Sequence, residues 1–159
     1  MVITDSPWPA KGAPVVFAAT GPLLAAIDWR ERRLPDIITL PLAAACFVVL
    51  LSSAVLSGDF LRLAMAVACS VGSVLFFFVL FVLAPSQLGF GDVKLMLSAG
   101  LVLGWHGPVV TVMGIVMGLL FGLLYGVVQI VRGRAHRRSH IALGPHLIAG
   151  TLVLGLLLY

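Results

Sequence analysis

The chain contains apolar runs that are too long to bury in a water-soluble core of its size. Leu61 to Ala84 carries one charged residue, Arg62, and Pro108 to Val131 carries none. About 20 apolar helical residues cross the hydrocarbon of a bilayer. There every backbone N–H and C=O must be paired inside the segment or inside a closed barrel. Barrel strands alternate apolar with polar residues, and these runs do not. The expected fold is therefore an all-α integral membrane protein, a bundle of about six transmembrane helices. Composition agrees, with 61% hydrophobic and 10% charged residues in 159. Soluble domains carry about 25% charged residues.

Six spans fit the pattern, at 12–27, 37–56, 61–84, 93–106, 108–131 and 141–159. The apolar part of the fourth, Val93 to Leu103, falls short of a full crossing, so a re-entrant segment is the alternative there. The first run is read as a retained span. Only Lys11 precedes it, while Arg30, Arg32 and Arg33 follow it, the reverse of a signal peptide's charge order.

Charge sets the orientation. With six spans and the first loop inside, the inner face holds Arg30, Arg32, Arg33, Lys94, Arg132, Arg134, Arg137 and Arg138, leaving only Lys11 and Arg62 outside. The positive-inside rule favours this arrangement. Trp8, Trp105 and Tyr159 then fall near the outer interface and Trp29 near the inner one. The net charge of +4 and pI near 9.7 follow from these topological arginines and do not indicate nucleic acid. The lipid bilayer is the expected partner surface. Cys46 and Cys69 lie in apolar runs and read as small packing residues. Gly114, Gly118, Gly122 and Gly126 form a stripe along the fifth span, a surface for close helix approach.

Two aspartates stand at the edges of this hydrocarbon. Asp28 follows the run Val15 to Ile27, and Asp92 closes Gly89-Phe90-Gly91-Asp92 after the third span. A carboxylate at such a boundary is costly and is seldom without a task. In the six-span topology both lie on the cytoplasmic side. Asp28 ends a helix, where a negative charge is disfavoured. It is either one of a catalytic pair or a salt-bridge partner of Arg30, Arg32 or Arg33. Asp92 is either the cap of the fourth span or a carboxylate on an open glycine loop within reach of a substrate backbone. Asp36, after Pro35, suits helix capping. No cluster of His and acids has metal-ligand spacing, and His106 falls on the face opposite the aspartates.

Three segments together resemble the type IV prepilin peptidases. They are Asp28-Trp-Arg-Glu-Arg-Arg-Leu-Pro35-Asp36, Gly89-Phe-Gly91-Asp92-Val-Lys94 and Leu-Gly144-Pro145-His-Leu. The resemblance implies that Asp28 and Asp92 are the catalytic pair. The substrate it implies is the short basic leader of a prepilin-like protein, of Flp type among the options, cut at the cytoplasmic membrane face. Gly89, Gly91 and Lys94 would support the catalytic loop. Pro35, Asp36, Gly144 and Pro145 would serve structure or leader binding. No cofactor and no metal are expected.

The whole of 1–159 reads as a single membrane-embedded peptidase domain. Bifunctional members carry an N-terminal region with cysteine pairs that this sequence does not show, so peptidase activity without methylation is the expectation. Two other readings remain, a presenilin-like intramembrane protease and a non-enzymatic carrier or assembly subunit. The first motif, Ile27-Asp28 rather than Tyr-Asp, counts against the protease. The paucity of polar residues within the spans counts against a carrier. Substrate identity and oligomeric state are not legible.

Overall fold

The computed structural model describes residues 12–31, 36–83, 89–132 and 143–158, apart from the side chains at 25, 27–31, 36, 37, 156 and 158. Six helices follow one another: α1 (Gly12–Glu31), α2 (Asp36–Ser57), α3 (Phe60–Leu83), α4 (Phe90–Gly104), α5 (Pro108–Val131) and α6 (Gly144–Leu158). Their bounds lie within a few residues of the sequence expectation. Ile38–Ser57, Phe60–Leu83 and Pro108–Val131 are long and apolar enough to cross a membrane, and Gly12–Leu24 and Gly144–Gly155 are shorter apolar segments. The exposed side chains of α3 and α5 include Leu61, Met65, Leu75, Phe76, Val79, Leu120, Leu123 and Leu124. Such a surface suits hydrocarbon as its solvent.

The short fourth span is the centre of the bundle. α4 is one continuous helix of 15 residues, about 22 Å at 1.5 Å per residue. It is unbroken, with no turn between Phe90 and Gly104. It touches all five other helices, and nearly its whole length, from Asp92 to Gly104, is buried. A helix sheathed by neighbours need not match the bilayer thickness, because its ends meet protein rather than lipid.

Small residues let the helices close on it. An added Cβ at Gly100 would fall 2.6 Å from Ser70 Cα, and one at Gly104 would fall 2.9 Å from Ala66 Cα. The buried face of α3 (Leu63, Ala66, Ser70, Ser73, Phe77) recurs at helical spacing. Ser70 Oγ donates across this interface to the Leu97 carbonyl at 2.7 Å. The glycine stripe of α5 plays the same part against α6. Gly114, Gly118, Gly122 and Gly126 are all buried, and a Cβ at Gly118 would meet Leu147 Cα at 2.9 Å. With lipid as apolar as the core, close packing of this kind holds membrane helices together.

Both cysteines are packing residues. Cys46 is buried against the Ala13 carbonyl, with Sγ at 3.9 Å, and the Cys69 Cβ faces Gly104. Buried hydroxyls are mostly satisfied within their own helix. Ser73 bonds the Cys69 carbonyl at 2.7 Å, Ser98 that of Leu95 at 3.0 Å, and Thr151 that of Leu147 at 2.9 Å. This is the usual way a hydroxyl is made tolerable in an apolar helix.

Trp105 departs from expectation. It was expected in an outer aromatic belt, yet it is 3% exposed. It caps the C-terminus of α4. Because α4 is central, neighbouring helices cover the ring at its end, so Trp105 faces protein and not lipid.

Candidate active site

The register of the helices puts one set of ends together. Gly21 of α1 meets Ile148 of α6, and Gly155 of α6 meets both Pro14 of α1 and Val102 of α4. α1 and α6 therefore run antiparallel, and α4 and α6 run parallel. The last turns of α1, carrying Asp28, the first turn of α4, carrying Asp92, and the first turn of α6, carrying Gly144 and Pro145, lie at one end of the bundle. α2 begins there too, at Asp36. The side chains of Asp28 and Asp36, and Pro35 as a whole, lie outside the described residues. Asp28 is on the helix itself, one turn from the end of α1, rather than beyond it.

Asp92 is buried, at 6% exposure. It is the third residue of α4, and its backbone N–H donates to the Gly89 carbonyl at 3.0 Å. The helix N-terminus favours a negative charge at this position. The loop reading needs correction here. The helix already includes Phe90, Gly91 and Asp92, so the carboxylate projects from a first turn and not from an open loop. Nor is Asp92 the cap, since that position belongs to Gly89.

Gly89 has φ −78° and ψ 142°, an extended backbone that any residue adopts. Its usefulness lies elsewhere. A Cβ there would stand 3.6 Å from Asp92 Oδ2, in ordinary contact. A side chain at this position would touch the carboxylate, and glycine places none there. Lys94 lies with its Nζ 4.8 Å from the centre of the Phe90 ring, a cation–π distance. Phe90 in turn packs on Phe81 of α3, with ring centres 5.5 Å apart. These contacts tie the start of α4 to the end of α3.

Gly144 is buried and Pro145 half-buried in the first turn of α6. Leu143 accepts from the N–H groups of His146 and Leu147 at 3.1 and 3.0 Å. The α4–α6 register brings this turn level with Asp92. His106, by contrast, follows α4 at the far end, about 20 Å from Asp92 along the helix. Burial first, and then the charge of Arg62, push its pKa down to about 4. Among the described residues no group of three His, Cys, Asp or Glu side chains is placed to hold a metal.

One polar cluster at the Asp92 end went unread in the sequence. Tyr125 and Gln129 in the last turns of α5 are bonded at 2.6 Å, and the Tyr125 ring lies 4.9 Å from that of His146 on α6. The signal was available. Two polar residues four apart inside an otherwise apolar span share a helix face, and intramembrane polar groups are expensive.

A central helix with a buried carboxylate in its first turn, packed against five apolar helices, defines a polytopic membrane protein with an embedded acidic group. Residues 15–123 match the type IV leader peptidase family, and the chain belongs to that family. It is similar to two proteins called prepilin leader peptidase/N-methyltransferase, from Burkholderia pseudomallei strains 1026b and K96243. Each is 34% identical to it over 150 residues, covering 89% of this chain and 46% of the relative. The chain thus spans about half the length of these curated relatives. No solved structure matches it significantly.

Proposed function

We propose that the chain is a membrane aspartyl endopeptidase that removes the short basic leader of type IV prepilin-like proteins, of Flp type among them. One observation carries this reading. The family match spans 15–123 and so takes in both Asp28 and Asp92, and the latter is a buried carboxylate at the N-terminus of the central helix. We assign Asp28 and Asp92 as the catalytic pair. Arginine-rich connections flank the same end in sequence, which supports a site facing the cytoplasm.

Two close carboxylates do not both ionise cheaply, so the pair shares one proton near neutral pH. The ionised member takes a proton from water, and the resulting oxygen attacks the peptide carbonyl. The protonated member gives its proton to the carbonyl oxygen. As the tetrahedral intermediate collapses, the C–N bond breaks, the amine leaves with the proton held by the first carboxyl group, and the second carboxylate recovers its proton from one hydroxyl as the product carbonyl forms. The titration belongs to the pair and not to either member. Glycine at position 89 sets no side chain against the Asp92 carboxylate. We assign Gly91 and Lys94 to support of this turn, and Pro35, Asp36, Gly144 and Pro145 to structure or leader binding.

The test is co-expression with a prepilin and a mobility shift on gels. The parent chain should process it, while Asp28→Asn and Asp92→Asn should each abolish processing and still accumulate in the membrane. Cleavage retained by either variant would remove that residue from the pair.

A further inference from the structure

We infer that Tyr125, Gln129 and His146 form a docking point for the peptide backbone of the substrate, with the Gln129 amide as its positioning group. The inference rests on the peptidase reading above, and it adds a recognition element outside the aspartate pair.

Gln129 Nε2 donates to Tyr125 Oη at 2.6 Å. Its other polar atom, Oε1, is shielded from solvent and accepts no hydrogen bond from any described residue. Turned end for end, the amide would take the phenol hydrogen on Oε1 and leave Nε2 bare instead. In either orientation one shielded atom of this half-buried side chain has no partner among the described residues. Such an atom is unfavourable in a resting protein, and more so at the end of a membrane span. Native structures retain these groups where something else completes them.

The completing group is expected to be a peptide. Tyr125 holds the amide on α5, and the His146 ring of α6 packs on Tyr125 with ring centres 4.9 Å apart. The Cβ of His146 also lies 3.8 Å from the Cβ position of Gly122, so the absence of a side chain at Gly122 leaves the imidazole room beside Tyr125. The cluster sits at the end of the bundle that carries Asp92, and α4 packs against both α5 and α6. An amide, a phenol and an imidazole include no carboxylate to pair with a basic leader. They match instead the alternating N–H and C=O of an extended backbone, which either orientation of the amide can pair. An extended chain held here would present its next residues toward the first turn of α4.

The test is binding, measured without turnover. A fluorescein-labelled synthetic peptide, with a Lys/Arg-rich leader ending in glycine followed by apolar residues, is titrated into the full chain in detergent. The Asp92→Asn background prevents cleavage. Gln129→Leu should weaken binding about fivefold, the worth of one hydrogen bond. Its melting temperature should be unchanged or raised, since the substitution removes that shielded amide atom. Gln129→Met, which keeps an unbranched side chain, should behave alike if the leucine variant folds poorly.

Unchanged affinity in both variants, or affinity lost together with a fall in melting temperature, overturns the proposal. So does a failure of the peptide to bind the Asp92→Asn chain. Loss of co-purifying phospholipid with peptide affinity intact would assign the amide to a headgroup and also overturn it. Should the chain with Asp92 intact bind the peptide by way of Gln129 without cutting it, the peptidase reading fails and the docking point stands.

Discussion

Gly150 of α6 approaches Gly118 of α5 so closely that a Cβ on Gly150 would fall 2.6 Å from the Gly118 nitrogen. The nearest groups are backbone, including the Gly114 carbonyl at 2.8 Å, so no side chain can turn aside. Gly150→Ala should therefore force α5 and α6 apart and cost about 1–3 kcal/mol, the usual price of overpacking. Gly155→Ala is the control, because its Cβ meets Pro14 and Val102 at ordinary distances of 3.8 and 3.9 Å. Thermal melting in detergent should show a clear loss for the first and little change for the second.

Cysteines replacing Asp28 and Asp92 should form a disulfide under mild oxidation, in a background lacking Cys46 and Cys69. The antiparallel α1–α6 and parallel α4–α6 registers put both helix turns at one end of the bundle. A disulfide needs Cα atoms within about 7 Å. Labelling that finds the two cysteines on opposite membrane faces would defeat the proposed pair and the topology together.

Asp36→Asn should leave most of the processing activity. α2 starts at Asp36, and asparagine serves helix starts about as well as aspartate. Complete loss of processing at normal expression would instead give Asp36 a part in chemistry or leader binding.

Acid should weaken the fold through His106. Its pKa is pushed down to about 4 in the folded chain, against about 6.5 when unfolded. Below pH 6.5 the unfolded chain takes up a proton that the folded chain refuses, so stability falls as pH drops from 6.5 toward 4. At neutral pH both forms are uncharged and the histidine costs nothing. His106→Gln should flatten this part of the melting-temperature profile. The profile above pH 7 should not change.

The helix count, the span bounds and the boundary aspartates were legible in the linear chain because they depend on local quantities. Run length against hydrocarbon thickness gives the spans, and Arg placement gives a topology. The Gly114–Gly126 stripe was legible for the same reason, since it repeats along one helix face.

Which helix lies in the middle was not legible. In a membrane, lipid and core are equally apolar, so the pattern of α4 does not announce that it touches five neighbours. That central place buries Asp92 in a first helical turn, covers Trp105 with protein, and demands Gly100 and Gly104 against Ser70 and Ala66. The meeting of Tyr125 with His146 is likewise a property of the α5–α6 contact. Those two residues lie on different helices, and only the packing of the helices at a glycine seam brings their rings together.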